Sequence, residues 1–348
     1  MGGEPDLVRT PAADVPHVQD YLSTVSPTPL VLVTSRSFSS GDLDLTGELE
    51  AADARILTGP STHDLDVLRP LLAEATAWIA GTGPVTAAHL DAAPALQIIA
   101  RYGVGVEALD LDAAAQRGVL VTNTPGANTG AVADHAVALV LAALRDVPAG
   151  DRGVRAGRWA VHRTREMGGL SVGIVGLGRI GRAVAARLSG FGSTLLGFDP
   201  WVPAADLEAL GVEGVDLDTL ARRSDVISLH APGEKVVVDR PFLDLVRPDL
   251  LLVNTARATL VDEPALADAL RAGRLGRYAS DVLGSEAGQH ANPLLADDLL
   301  DRTLFTPHCA AQTVEAVDGM GRGAVDAVLA HLRGERPPNL VRPPGATR

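Results

Sequence analysis

A glycine-rich stretch and a few polar residues beyond it hold the chemistry of this sequence. The run Val172-Gly173-Ile174-Val175-Gly176-Leu177-Gly178-Arg179-Ile180-Gly181 contains a G-x-G-x-x-G pattern at Gly176, Gly178 and Gly181. Gly176 permits a tight turn out of a strand, Gly178 lets a pyrophosphate approach the backbone, and Gly181 lets a helix pack closely on the sheet. Arg179 and Ile180 open that helix, whose N-terminal N–H groups and positive dipole end suit phosphates. The next strand ends in Asp199, about 20 residues on, where a carboxylate accepts bonds from ribose hydroxyls. It would also repel the 2′-phosphate of NADP, so the expected cofactor is NAD.

Ligands of such sheets bind at the carboxyl ends of the strands, and three acid–base or anion-binding candidates follow strand-like runs. Arg257 comes after Leu250–Asn254, Glu286 after the run ending Asp281-Val282, and His308 after Phe305-Thr306-Pro307. Taken singly, an Arg or Glu in a loop is usually a solvated charge, and a lone His beside Pro is more often structural than catalytic.

Taken in order, these stretches resemble the D-isomer-specific 2-hydroxyacid dehydrogenases. The resemblance rests on Arg101-Tyr102-Gly103-Val104-Gly105-Val106, Thr124-Pro125-Gly126-Ala127-Asn128 and the glycine segment with Asp199. It rests further on Asn254-Thr255-Ala256-Arg257 with Val261-Asp262-Glu263, and on Thr306-Pro307-His308. It implies hydride transfer between NAD and a small D-2-hydroxy acid or 2-keto acid. His308 would be the acid–base, Glu286 would orient it, and Arg257 would grip the substrate carboxylate. An imidazolium can protonate the developing alkoxide near neutral pH, and a planar guanidinium suits a carboxylate as lysine does not. Tyr102, Gly103, Val104 and Gly105 would form a second carboxylate anchor through backbone N–H groups. His230, Ala231, Pro232, Thr255 and Ala256 would line the cofactor, and Asp281 would meet its carboxamide.

The chain departs from the family pattern at Ala287 after Glu286, Ala258 after Arg257, and Cys309-Ala310-Ala311 after His308. The loop Ala80-Gly81-Thr82-Gly83-Pro84 carries no charge, where phosphoglycerate dehydrogenases of the family tend to have a basic residue. Phosphoglycerate is therefore a secondary expectation, beside an unusual acid such as a phosphono-acid, a formate or phosphite donor, or a non-catalytic NAD-sensing scaffold of the corepressor kind. The intact Arg257, Glu286 and His308 favour catalysis. Cys309 reads as a small buried thiol, since neighbours in an extended segment point opposite ways. Asp134 and His135 read as packing or subunit-interface residues.

These residues need a scaffold, and the hydrophobic pattern supplies one. Strand-like runs fall at Leu30–Val33, Arg55–Leu57, Ala77–Ala80, Leu96–Ala100 and Val119–Thr122, with helical patterns between them. The alternation resumes at Val172–Val175, Thr194–Phe198, Val226–Leu229, Leu250–Asn254, Tyr278–Val282 and Thr303–Thr306, and a last helix spans Val314–Leu332. This is α/β alternation with parallel sheets. The family likeness makes it two Rossmann-like or flavodoxin-like domains. The NAD domain, about 122–307, is inserted into a discontinuous substrate domain of 29–121 and 308–337, between a loose extension 1–28 and a tail 338–348. It also places the active site in a cleft that closes by a hinge. An apolar helix from about Asn128 to Leu144, stopped by Pro148, leads into an arm, Asp151–Met167, that resembles the family's dimerisation region.

The bulk numbers agree. The 348 residues are 46% hydrophobic and carry a net charge of −13, which argues against nucleic acid and anionic membranes as partners. The single cysteine excludes internal disulfides and cysteine-rich zinc sites, and no metal is expected. No signal-like start or spanning run is evident, so the expectation is a cytoplasmic homodimer.

Overall fold

Short apolar runs become strands wherever helices can cover both their faces, and that condition is met twice along this chain. The computed structural model describes residues 28–233, 235–284 and 292–342. They fall into two compact units, Met1–Pro125 with Met320–Arg348, and Gly126–Gly319.

The first unit holds β1 (Leu30–Val33), α1 (Leu45–Glu50), β2 (Arg55–Thr58), α2 (Leu65–Leu72), β3 (Ala77–Ala80), α3 (Ala87–Asp91), β4 (Ile98–Arg101), α4 (Leu111–Gln116) and β5 (Leu120–Thr122). All neighbouring strands run parallel in the order β2-β1-β3-β4-β5, the flavodoxin-like arrangement. Aspartates start α1, α2 and α4. Asp44, Asp64 and Asp110 each accept a backbone N–H of the first turn, so part of the acidic excess serves as caps.

The second unit holds α5 (Thr129–Leu144), α6 (Val147–Arg155), β6 (Ser171–Val175), α7 (Arg179–Ser189), β7 (Thr194–Phe198), α8 (Ala204–Glu208), β8 (Glu213–Gly214), α9 (Leu217–Arg223) and β9 (Val226–Leu229). It continues through α10 (Arg240–Leu243), β10 (Leu251–Asn254), α11 (Glu263–Arg271), β11 (Arg277–Ser280) and β12 (Thr303–Phe305). The sheet is wholly parallel, in the order β12-β11-β10-β9-β6-β7-β8. Side chains alternate across it. Val172 and Ile174 pack with α5 and α7, while Val175 joins Leu220 and Leu266 on the opposite face. The last helix, α12 (Val314–Leu332), runs from the end of this unit into the first. There Arg322 pairs with Glu48 and His331 bonds Gln97.

The elements expected from the sequence recur in the same order with ends shifted by up to three residues, while α1, α8 and β8 were not foreseen. Pro148 is a correction. It opens α6 rather than halting the chain, because its missing N–H costs nothing in a first turn. Asp151–Arg155, expected as part of an arm, is therefore helical. Beyond it, Trp159 and Val161 are 84% and 91% exposed. Among the described residues no helix is long and apolar enough to cross a membrane.

A buried polar network braces the first unit. The Thr34 hydroxyl accepts the Trp78 indole N–H (3.0 Å) and the Gly81 N–H (3.2 Å) and lies 2.7 Å from His63 Nε2. With its lone pairs taken, it must donate to Nε2, so His63 carries its proton on Nδ1 and gives it to the Pro84 carbonyl at 3.0 Å. A second proton would meet a hydroxyl with nothing left to accept it. Burial above all, with help from Arg101 and His89 and against the Pro84 bond, pushes His63 from 6.5 to about 4. The unfolded chain takes up a proton below pH 6.5 that the folded ring refuses until about pH 4. Stability is thus whole above 6.5 and lost as pH falls toward 4, by about 3 kcal/mol from this residue. In a Trp159→Phe, Trp201→Phe background, buried Trp78 would report urea unfolding of this unit. Equal midpoints at pH 7 and at about pH 4.5 would refute the assignment.

Candidate active site

Because every strand of the second sheet is parallel, the residues that follow the strands gather along one edge. Across that edge, in sheet order, come His308 after β12, Asp281 after β11, Thr255 to Arg257 after β10, His230 after β9, Gly176 to Gly178 after β6 and Asp199 after β7. The strand order reverses between β9 and β6, the switch point where such sheets open a crevice for a ligand.

The three glycines at that point have different reasons for being there. Gly176 has φ +88°, and a Cβ on it would lie 2.7 Å from the His230–Ala231 backbone. A Cβ on Gly181 would lie 2.0 Å from the Gly176 carbonyl, so α7 could not sit on β6. Gly178 is at an ordinary φ of −70°, and a Cβ there would meet nothing within 4 Å. The protein's own packing does not require this glycine, whereas a phosphate group at the α7 N-terminus would.

Two further observations fit a dinucleotide. The His230 Nδ1 and Thr255 Oγ1 atoms are closed off from solvent with no partner among the described residues, as groups awaiting a ligand would be. His230 Nε2 lies 2.8 Å from the Ser228 hydroxyl, and burial pushes the ring down to about 4, so it is neutral at pH 7. Asp199, half-buried, accepts the Leu177 N–H at 2.8 Å and the Trp201 N–H at 2.9 Å. That leaves its carboxylate between the glycine loop and the 75%-exposed Trp201. Arg179 is exposed and Ile180 half-buried in the first turn of α7, while Ala231 and Pro232 follow His230 on the loop toward Gly233.

Arg257 is set by a side chain that also lies on this edge. Asn254 accepts the Ala256 N–H and donates to the Arg257 carbonyl, both at 2.9 Å, which folds the turn. The guanidinium donates to the Ala256 carbonyl at 2.8 Å. Ala258, one of the departures from the family pattern, begins a one-turn helix and needs no positive φ, so its methyl fits.

His308 is exposed and stands at φ +51°, a left-handed backbone that a non-glycine residue seldom adopts without a reason. Glu286, expected beside it, lies outside the described residues, as do Ala287 and Glu234. Cys309 is a correction: it is half-buried rather than buried, and burial and the Asp281 carboxylate push its thiol upward. Metal-binding atoms of His135, Asp281 and Cys309 come within 4.8 Å of one another. The Asp281 oxygens, however, accept N–H and O–H donors, and a raised thiol resists forming the thiolate that a soft metal needs.

In the first unit, the segment after β4 presents N–H groups outward. Its carbonyls are tied inward: Gly103 O accepts the Thr124 N–H (3.0 Å), Val104 O the Asn123 side chain (2.8 Å) and Gly105 O the Arg101 Nε (2.9 Å). Across a planar trans peptide, an inward carbonyl turns the next N–H outward. The Val104 and Gly105 N–H groups accordingly have no acceptor among the described residues, which makes an anion-binding nest. Arg101 is buried and also binds the Gly81 carbonyl, so it fastens the uncharged loop after β3 to the nest. Tyr102 turns inward. Its hydroxyl donates to Ser37 (3.2 Å) and its N–H to Ala80 (2.9 Å), so it shapes the loop rather than offering a ligand contact. Asn123 went unnoticed in the sequence, since nothing local marks an asparagine whose partner is a carbonyl across the sheet edge.

Known proteins are similar to this chain in sequence and fold. Residues 137–310 match the family model described as D-isomer specific 2-hydroxyacid dehydrogenase, NAD binding domain. The chain is 39% identical over 319 residues to the D-3-phosphoglycerate dehydrogenase of Mycobacterium tuberculosis, covering 90% of this chain and 58% of that protein. It is 38% identical over 321 residues to the glyoxylate reductase of Korarchaeum cryptofilum, covering 87% and 92% of the two. The D-lactate dehydrogenase from Aquifex aeolicus, solved with NAD and lactic acid, superposes with a TM-score of 0.79 at 26% identity, over 91% of this chain and 100% of that one. The chain thus spans less than three fifths of the length of the phosphoglycerate dehydrogenases it matches.

Proposed function

The chain belongs to the D-isomer-specific 2-hydroxyacid dehydrogenase family, and from that premise we propose that it passes a hydride between NAD and a small 2-keto or D-2-hydroxy acid. The observation that carries this reading is the single edge on which His308, Arg257 and the glycine cradle follow strands of one parallel sheet. Bound there in its reduced form, NADH, the cofactor would supply the hydride for reduction of the keto acid. His308 gives its proton to the oxygen of the reduced carbonyl and takes it back in the reverse direction. Glu286 orients the imidazole, and Arg257 holds the carboxylate through its planar fork. In the first unit, the N–H groups of Val104 and Gly105, with Gly103 shaping the turn, are themselves suited to an anion.

At the cofactor, Gly176, Gly178, Arg179 and Ile180 take the pyrophosphate, Asp199 the ribose, and His230, Ala231, Pro232, Thr255 and Ala256 the remaining length. The loop from Gly81 to Pro84 carries no cation, which favours a substrate whose only charge is its carboxylate. Trp159 and Val161 form a surface that we assign to a second copy of the chain. A monomer by sedimentation at micromolar concentration would overturn that.

The test of the activity is a screen of 2-keto acids, a phosphorylated one included, for NADH oxidation. Tight NADH binding without turnover of any keto acid would sink the proposal. Asp199→Ala should raise the NADP/NAD ratio of kcat/KM by at least ~10-fold, the equivalent of about 1.4 kcal/mol. An unchanged ratio would remove Asp199 from cofactor choice.

A further inference from the structure

One buried residue grips the chain on every side of His308. The Asp281 carbonyl accepts the His308 N–H at 3.0 Å. One of its carboxylate oxygens accepts the Cys309 N–H at 2.9 Å and the Thr306 hydroxyl, and the other accepts the Ala310 N–H at 2.8 Å. Asp281 is itself moored, with its N–H on the Asn254 carbonyl at 3.0 Å and only 1% of its surface exposed. A left-handed histidine persists only where its surroundings over-determine it, and these bonds to residues 306, 308, 309 and 310 do so.

Behind Asp281 stands a polar residue of the largely apolar helix α5. His135 on α5 places Nε2 2.9 Å from the Thr306 hydroxyl and 3.5 Å from the Asp281 carboxylate. Burial works to raise the Asp281 carboxyl, but the bonds from His135, Thr306, Cys309 and Ala310 outweigh it and hold it at about 2. An ionised carboxylate only accepts, so the Thr306 proton points at Asp281 and His135 must donate to Thr306 through Nε2–H. The direction of the chain is fixed: His135 to Thr306 to Asp281, with the backbone of 309 and 310 donating from the other side. Three of the roughly four acceptor positions of the Asp281 carboxylate are used within the protein.

We propose that Asp281, backed by Thr306 and His135, is the positioning residue that holds the His308 turn in its left-handed backbone and so aims the imidazole. This rests on the reading of His308 as the acid–base. Neither Asp281 nor His135 need touch the reacting atoms.

Asp281→Asn replaces one acceptor oxygen with an NH2 group, so it cannot serve the Cys309 and Ala310 N–H groups together. Its kcat should fall about 10²-fold, since small misplacements of a catalytic group cost that much. Its NADH Kd should stay within about 3-fold of the wild type, roughly half of one tenfold step in free energy. Thr306→Val, which deletes only the hydroxyl, should fold even where Asp281→Asn does not and lose about 10-fold in kcat. His135→Gln, which keeps an N–H donor, should retain more activity than His135→Leu. Wild-type kcat in both Asp281→Asn and Thr306→Val would overturn the proposal. So would a loss in kcat matched by an equal loss in NADH affinity, which would return Asp281 to the cofactor. If His308→Gln itself turned over normally, the reading of His308 would fail, whatever the Asp281 variants did.

Discussion

His308→Gln should lower kcat by more than ~10²-fold while leaving NADH affinity intact, because it removes the only proton donor we assign to the carbonyl oxygen. Glutamine keeps a polar side chain of similar reach, so the loss would report proton transfer rather than an emptied space. The backbone bonds from Asp281 to residues 308–310 do not depend on the imidazole, so the turn should survive the substitution. Steady-state assays with the best keto acid, beside NADH binding followed by fluorescence, would decide it. Unchanged turnover eliminates His308 from the chemistry.

The second large effect separates two glycines three residues apart. Gly178→Ala should fold with an unchanged thermal midpoint, since its φ suits alanine and nothing lies within 4 Å of the added methyl. It should weaken NADH by at least ~10-fold, or about 1.4 kcal/mol, because the methyl enters the space we assign to the pyrophosphate. Gly181→Ala should do the reverse. Its methyl would overlap the Gly176 carbonyl, and forcing α7 away from β6 should cost about 1–3 kcal/mol of stability. Calorimetry on the two variants, with NADH titrations of each, gives four numbers. Equal loss of stability in both, or undiminished NADH binding in Gly178→Ala, would contradict the division of labour.

That division also shows what a sequence can carry. The glycine motif was legible because backbone sterics leave glycine no substitute at positions 176 and 181. The strands were legible because a parallel strand covered on both faces must be apolar throughout, as Trp78-Ile79 and Leu252-Val253 are. Some of the elements shorter than two turns were not. α1 is six residues long and contains Gly47, too short for a helical period to show. Pro148 misled because the same residue breaks a helix interior and begins a helix, and only the chain's direction after Asp146 distinguishes the two.

Within the candidate site, Asp199 and Arg257 could be singled out by their chemical type and their place after strands. Residues acting through a partner could not. His135 and Thr306 are 171 positions apart, and nothing near either foretells the bond, so His135 read as packing. Asn123 and Arg101 work on carbonyls, which leave no mark in a sequence.

The way the chain is divided between its two units has a consequence for synthesis. The second unit is one uninterrupted segment, Gly126–Gly319, while the first is completed only by Met320–Arg348. A nascent chain that has emerged as far as Gly319 therefore possesses every strand of the NAD-binding sheet. The five-stranded sheet made earlier still lacks the α12 residues that reach Glu48 and Gln97. The five-stranded unit is completed only once α12 has emerged from the ribosome. The continuous unit between its two parts can close before that helix is complete.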